Sequence, residues 1–196
     1  MRNFFLAAIA VMSFGVVNAQ DIKFGVKGGV NLSNFTGDIE DASSKVGFHV
    51  GGFAEFKLSD KFAIQPELLY SAQGAKFEDS FSKEKVSMSY LNIPIMAKYY
   101  IIDKLSVEAG PQAGFLLSAK SNWESSYNGK VASGKDNIKD IFKTTDFSFN
   151  VGAGYDFTEN LSAGLRYNFG LSNISDSKEG GKIHNNVISL SLGYKF

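Results

Sequence analysis

The chain has no cysteine, only three prolines and a formal net charge of zero among its 196 residues. The lack of cysteine excludes disulfide bonds, thiolate metal sites and a lipid-modified N-terminal cysteine. The charge balance gives no reason to expect nucleic acid as a partner. After residue 19 there is also no apolar stretch long enough to span a membrane as a helix. What the chain does have in abundance is Phe, with 18 residues, and Gly, with 20.

The first nineteen residues have the features of an export signal. Arg2 supplies a positive charge, an apolar run follows from Phe4 to Val17, and small residues lead up to Ala19. This pattern predicts a cleavable signal peptide over 1–19, cut between Ala19 and Gln20, and one mature domain over 20–196. A membrane anchor is the alternative, but the apolar run is shorter than the roughly 20 residues that a spanning helix needs.

The mature chain alternates apolar and polar residues with a period of two, which is typical of strands with two different faces. Each alternating segment has about 9–14 residues, enough for a tilted membrane strand. Eight such segments are predicted, at 22–32, 46–58, 62–73, 90–101, 105–117, 147–157, 161–171 and 188–196. They predict an all-β fold, an eight-stranded antiparallel up-and-down transmembrane β-barrel.

The connections between these segments alternate in length along the chain. Three are tight turns, at 59–61, 102–104 and 158–160, and four are longer and polar, at 34–45, 74–86, 119–143 and 173–185. Short periplasmic turns and long external loops are typical of outer-membrane barrels. The pattern therefore predicts that both termini are periplasmic. The longest loop, 119–143, is rich in Gly and Ser and is predicted to be mobile.

All three prolines fall inside proposed strands, at Pro66, Pro94 and Pro111. Proline cannot donate a hydrogen bond to a strand ladder, and a closed barrel has no free edge where it could be tolerated. We therefore expect a bulge or a locally unpaired position at each proline.

The direction of the apolar face separates a membrane barrel from a secreted lipocalin, whose apolar residues line its calyx. The polar face here consists mainly of Gly, Ser and Asn, which suits the crowded interior of an eight-stranded barrel. Aromatic residues cluster near both ends of the strands, as two interfacial girdles would. The chain also ends in an alternating strand closed by Phe196. These features predict lipid outside and polar groups inside.

Four motifs carry a resemblance to a known family: Phe24-Gly-Val-Lys-Gly-Gly-Val-Asn-Leu-Ser33, Ile64-Gln-Pro-Glu-Leu-Leu-Tyr70, Tyr90-Leu-Asn-Ile-Pro94 and Gly152-Ala-Gly-Tyr155. With the terminal strand, they resemble the outer-membrane β-barrel domain family common in Bacteroidota, labelled "porin family" or PorT-like. The resemblance implies an OmpA- or OmpX-like barrel in the Gram-negative outer membrane. It also implies recognition of the strand ending at Phe196 by the barrel assembly machinery. The family has no shared catalytic residues to carry over.

The polar face places six bases and four acids in the predicted lumen. Because charges in a narrow lumen are destabilising unless paired, they are expected to form a salt-bridge network. We expect Arg166 and Lys98 to pair with Glu67 and Glu108, with Glu55 and His49 in the same network. Such a network predicts a plugged barrel, and a narrow pore with slight anion preference is the alternative.

The sequence leaves the task of the barrel open among three classes. The first is a non-enzymatic envelope protein that contacts outer-membrane lipid and lipopolysaccharide and binds through its external loops, where Trp123 and Tyr127 are candidate contacts. The second is a small pore or transporter. The third is a lipid-modifying enzyme built around His184 and nearby loop serines. No cofactor is predicted, and the barrel is expected to be a monomer.

Overall fold

A computed structural model describes residues 22–39, 42–79, 82–127, 130–177 and 181–196. The predicted signal peptide and the cleavage site between Ala19 and Gln20 lie outside the described residues. The strands are β1 (Ile22–Gly37), β2 (Ala42–Lys57), β3 (Phe62–Glu78), β4 (Ser82–Ile102), β5 (Leu105–Tyr127), β6 (Lys130–Asn137), β7 (Thr145–Asp156), β8 (Leu161–Gly170) and β9 (Ile183–Lys195). Within the described residues, no helix has the length and apolar character needed to cross a bilayer.

Eight of these strands close into an antiparallel ring, and β6 lies outside it. The order around the ring is β1-β2-β3-β4-β5-β7-β8-β9, with each strand beside its neighbour in sequence apart from β6. The ring closes where β1 pairs with β9, in a ladder that runs from Gly25 opposite Lys195 to Gly37 opposite Ile183. This arrangement confirms the predicted eight-stranded up-and-down barrel. Closure satisfies the backbone hydrogen bonds that hydrocarbon could not satisfy.

The outer surface of the ring is apolar, as the alternation predicted. Phe24, Val50, Leu165 and Leu190 are more than half exposed, whereas their polar sequence neighbours point inward. Exposed aromatic pairs flank this apolar surface, with Phe62 against Tyr99, Tyr155 against Phe157 and Tyr194 against Phe196 near the short turns, and Phe48 against Tyr70 toward the other end. We call the two ends of the barrel the short-turn end and the long-hairpin end.

The long connections differ from their prediction as polar loops. β3, β4 and β5 continue well past the apolar band, and β5 pairs with β6 from Lys120 opposite Asn137 to Tyr127 opposite Lys130. The connection predicted as a loop at 119–143 is therefore largely a hairpin. A loop was predicted at 119–143 because both faces of the β5–β6 hairpin are largely exposed to water, so no apolar–polar alternation marks its strands.

The three prolines interrupt the ladders without shifting them. The β2–β3 ladder has a gap at Pro66, the β3–β4 ladder at Pro94 and the β4–β5 ladder at Pro111, with the same register on both sides of each gap. On its other side each proline is paired, opposite Ile95, Gln112 and Phe149 respectively. The expectation of unpaired positions is confirmed, and the register shifts between strands lie elsewhere. The missing N–H of each proline thus faces a gap.

Leu165 offers a test of which face meets lipid, because it lies in the middle of β8 and is 55% exposed. Leu165→Arg should lower the free energy of unfolding in lipid vesicles by about 2–4 kcal/mol, since it places a charge near the bilayer midplane. Leu161→Arg, at the short-turn end of the same face, is the matched control and should lower it by about 0–1 kcal/mol. Denaturant titration of the refolded barrels measures both values. An equal loss of unfolding free energy at the two positions would contradict the assignment of this apolar face to the lipid.

Candidate functional site

The middle of the lumen is occupied by an ion-pair cluster around Arg166. Its guanidinium donates two parallel hydrogen bonds to Glu67, from Nη1 to Oε2 and from Nη2 to Oε1, both at 3.0 Å. Its Nε donates to Glu108 Oε1 at 2.8 Å. Lys27 Nζ lies 2.9 Å from Glu67 Oε1. Four strands thus send charged side chains to one point, and the paired fork of Arg166 fixes their geometry.

A second cluster lies toward the short-turn end and is centred on Glu55. Lys98 Nζ lies 2.7 Å from Glu55 Oε2, and Lys195 Nζ lies 3.1 Å from Oε1. The Tyr100 hydroxyl also donates to Glu55 Oε2, at 3.2 Å. Lys195 contacts Asp156 as well, at 3.2 Å. Glu55 is therefore saturated by two ammonium groups and a hydroxyl, which compensates its burial.

Gln65 joins the two clusters into one network. Its Nε2 donates to Glu67 Oε1 at 2.7 Å, and its Oε1 accepts from Lys98 Nζ at 3.2 Å. The chain of contacts therefore runs without a break from the middle of the lumen to its short-turn end. Because every member is hydrogen-bonded, the network rigidifies this part of the interior.

The expected partner of Lys98 was wrong. Arg166 does contact the two predicted acids, but Lys98 contacts Glu55 and not Glu108, although Lys98 and Glu108 are opposite in the β4–β5 ladder. Arg166 already engages Glu108, and the neighbour of Lys98 in β3 is the small Ala63, so the long side chain of Lys98 reaches past it to β2. Strand register alone does not fix contacts that cross the lumen.

The buried network is electrically neutral. It contains four bases and four acids: Lys27, Lys98, Arg166, Lys195, Glu55, Glu67, Glu108 and Asp156. Lys23 and Lys57 are the other two of the six bases that the alternation places on the polar face, and they lie at the short-turn rim, where Lys57 is exposed. The excess positive charge predicted for the lumen therefore lies at its rim.

His49 lies beside the charge network and not within it, which corrects its predicted membership. Its Nδ1 is 2.8 Å from Asn31 Oδ1, and its Nε2 is 2.9 Å from Ser191 Oγ. Asn31 also donates to Ser71 Oγ at 2.9 Å. They belong to a layer of amides and hydroxyls above Arg166. In this layer Ser71, Gln73 and Asn185 form one hydrogen-bonded group, and Asn168, Asn150 and Ser148 form another.

An apolar core closes the long-hairpin end of the lumen, and the sequence reasoning missed it. It consists of Phe35, Ala75, Val86, Met88, Tyr90, Leu116, Ala119, Phe142 and Ile174, all buried. Phe142 and Ile174 come from connections that fold over the mouth, where Lys143 N donates to Ile174 O at 2.8 Å. The sequence does contain a sign of this core. Val86, Met88 and Tyr90 are apolar, yet they occupy the alternate positions of β4 that point into the lumen.

Small cavities lie between the side chains that fill the lumen. Two cavities of about 30 Å³ each are present, one beside Phe53 and Lys98 and one beside His49 and Asn31, and Lys27 lines both. Each has room for a water molecule or two. Phe53, an apolar residue at a polar-face position of β2, points inward over Gly25, where a Cβ would overlap its ring and lie 2.5 Å from Tyr194 O. A glycine is therefore needed at this close approach.

Of the two predicted external contacts, Trp123 is fixed on the β5–β6 hairpin. Its Nε1 donates to Asp136 Oδ2 at 2.8 Å, and its ring covers Gly134 on the opposite strand. It remains 37% exposed. Tyr127 ends β5, and its side chain lies outside the described residues.

The cluster around Arg166 predicts a strong response to Glu67→Gln. The change leaves Lys27 and Arg166 as buried cations without their shared counterion, so the free energy of unfolding should fall by about 3–5 kcal/mol. Asp156→Asn is the matched control. Its side chain is 20% exposed and its partner Lys195 keeps Glu55, so its loss should be about 1 kcal/mol or less. Denaturant titration in vesicles compares the two, and similar losses would contradict the buried network.

Comparison with known proteins agrees with this architecture. Residues 18–176 match the family model described as outer membrane protein beta-barrel domain. One similar solved structure is Ail, the attachment invasion locus protein of Yersinia pestis, in complex with the heparin analogue sucrose octasulfate. Its sequence is 16% identical, and the superposition covers 90% of this chain and 99% of that chain with a TM-score of 0.54. Neisserial surface protein A is 15% identical in sequence, and its superposition covers 88% of this chain and 97% of that chain with a TM-score of 0.53. No curated protein matches. The chain thus belongs to the outer membrane protein beta-barrel domain family.

Proposed function

We propose that this outer-membrane barrel is a closed, non-enzymatic envelope protein that acts through its external surface. Its family implies location in the outer membrane. The observation that carries the proposal is the filled lumen, in which the ion-pair network, the amide layer and the apolar core follow one another along the barrel axis. A barrel that neither conducts nor catalyses can act by stiffening the envelope or by binding at its exposed end.

The filling supports closure because two of its layers, the ion-pair network and the apolar core, block passage for different reasons. Arg166 spans the lumen between Glu67 and Glu108, so an ion would have to displace a paired guanidinium. At the long-hairpin end Ile174 is fully buried, and an apolar constriction excludes hydrated ions. Passage requires both closures to open.

The non-enzymatic part of the proposal rests on access. Ser191, His49 and Asn31 are hydrogen-bonded in a row, in the order of nucleophile, base and orienting residue that a catalytic triad has. All three are at least 94% buried, and the cavity beside them has only about 30 Å³. That volume admits water but no acyl substrate. For His184, Nδ1 is buried and has no hydrogen-bond partner among the described residues.

The external surface offers a binding platform in the extended part of β4, β5 and β6. In the described part of the chain β6 pairs with β5 alone, so its second edge carries no strand. Such an edge can accept a strand from a partner. Val131, 64% exposed, and Trp123 give this hairpin apolar contact area. The similar barrel Ail is an attachment protein by its title, but the likeness extends to the fold alone.

The orientation and partners follow from the same proposal. Both described ends of the chain lie at the short-turn end, where Phe196 N donates to Phe24 O at 2.8 Å. We assign this end to the periplasm and the long-hairpin end to the exterior, after removal of residues 1–19. The strand ending at Phe196 would engage the assembly machinery, and the barrel would act as a monomer. The PorT-like assignment stays a prediction from the strand motifs.

A narrow pore is the second candidate, and the two small cavities are the observation that favours it. Lys27 lines both cavities, so a shift of the Arg166 cluster would join them. Planar-bilayer recordings of the refolded mature barrel decide between the two functions.

Wild-type protein should give no steady conductance steps, since two closures lie in series. Arg166→Ala and Ile174→Ala should each remain silent, because one closure persists, whereas the double variant should conduct. Heat-modifiable gel mobility checks that every variant is folded before recording. Steady conductance from the wild-type monomer would overturn the closed-lumen proposal and favour the pore.

A further inference from the structure

Three lysines cluster on the outward face of the strand extensions at the long-hairpin end. Lys76 on β3 lies directly opposite Lys85 on β4. Lys120 on β5 lies opposite Ser87, which is the next residue after Lys85 on the same face of β4. Lys85 and Lys120 are exposed and Lys76 is partly exposed. We call these three residues the outward lysine cluster.

The positive charge of this cluster is not neutralised within the described residues, where none of the three lysines forms an ion pair. Like charges directly opposite each other in a sheet are destabilising. Lys45 lies within electrostatic reach of Lys76 and Lys85 and adds to the repulsion. The surface therefore carries a positive charge that a bound anion would compensate.

Lys83 shows what a neutralised lysine looks like on the same face. It lies two residues from Lys85 on β4, opposite Glu78 on one neighbouring strand and Glu124 on the other. The cluster has no such acids opposite it, because the further neighbours of Lys85 and Lys120 are Asn122 and Asn137. The outward lysine cluster thus differs from Lys83 in having no acidic residue opposite it to balance its positive charge.

The height of the cluster points to its occupant. The outward apolar band ends on these strands at Tyr70, Leu91 and Leu117, and the lysines follow beyond it. With a rise of about 3.3 Å per residue and a strand tilt of about 40°, they lie roughly 8–15 Å past the band. Lysine stems lie along a surface and carry the ammonium group some way toward the interface. The ammonium groups therefore reach the lipid headgroups, whose layer extends roughly 5–8 Å past the hydrocarbon core.

We infer that the outward lysine cluster binds phosphate groups carried by lipid headgroups of the outer leaflet. The clustered ammonium groups fit a doubly phosphorylated glycolipid, and the adjacent apolar band receives its acyl chains. This inference goes beyond the proposed function and depends only on the outer-membrane location, so a conducting barrel would leave it intact.

The test measures the affinity of the refolded mature barrel in detergent for diphosphorylated lipid A by native mass spectrometry. Wild type is compared with a triple variant, Lys76→Gln, Lys85→Gln and Lys120→Gln, and with Lys83→Gln as the matched control. Affinity should fall about fivefold for each cluster lysine removed, and the control should stay within about twofold of wild type. Without lipid, the triple variant should unfold at the same or a higher temperature, because the repulsion is gone.

The source of the phosphate is tested in parallel. Dephosphorylated lipid A should bind wild type no more tightly than it binds the triple variant, and inorganic phosphate should not raise the unfolding temperature. Equal affinity of wild type and triple variant for the phosphorylated lipid would overturn the inference. So would an equal loss in Lys83→Gln, equal binding of the phosphate-free lipid, or full replacement of the lipid by inorganic phosphate.

Discussion

The absence of water in the bilayer core is the constraint on which the rest of this structure depends. Every backbone N–H and C=O within that depth needs a protein partner, and β1 meets β9 to supply the last set. The same constraint turns polar side chains inward, into a lumen only just wide enough for them. Each proline interrupts one ladder over two consecutive pairings, and the register is unchanged beyond the gap.

Inward polar groups then need partners of their own, and the three layers of the lumen satisfy this need differently. The charges are neutralised in pairs around Arg166 and Glu55, the amides and hydroxyls bond to one another, and the outermost layer is apolar. The last layer faces a mouth closed by the connections that carry Phe142 and Ile174. Stability and closure therefore have the same origin, and a change that opens the lumen also removes stabilising contacts.

Much of the fold could be predicted from the sequence because one face of each membrane strand meets lipid. Val50 and His49 are adjacent in sequence and point to opposite faces, which a period of two reports directly. The extensions around β6 could not be predicted this way, since water on both faces removes the contrast. The partner of Lys98 could not be predicted from the sequence either. It depends on the length of the lysine side chain and on the small Ala63 of β3, which lies between Lys98 on β4 and Glu55 on β2. Contacts across a lumen arise only once the ring is closed.

The ion pair between Glu67 and Arg166 tests the account most directly, because it exists only if the ring is closed and both side chains are buried. A double-mutant cycle with Glu67→Gln and Arg166→Met, measured by denaturant unfolding in lipid vesicles, isolates their coupling from the single changes. The account predicts a favourable coupling free energy above about 1.5 kcal/mol, as for other close charge pairs removed from water. Additive losses, with a coupling near zero, would contradict it.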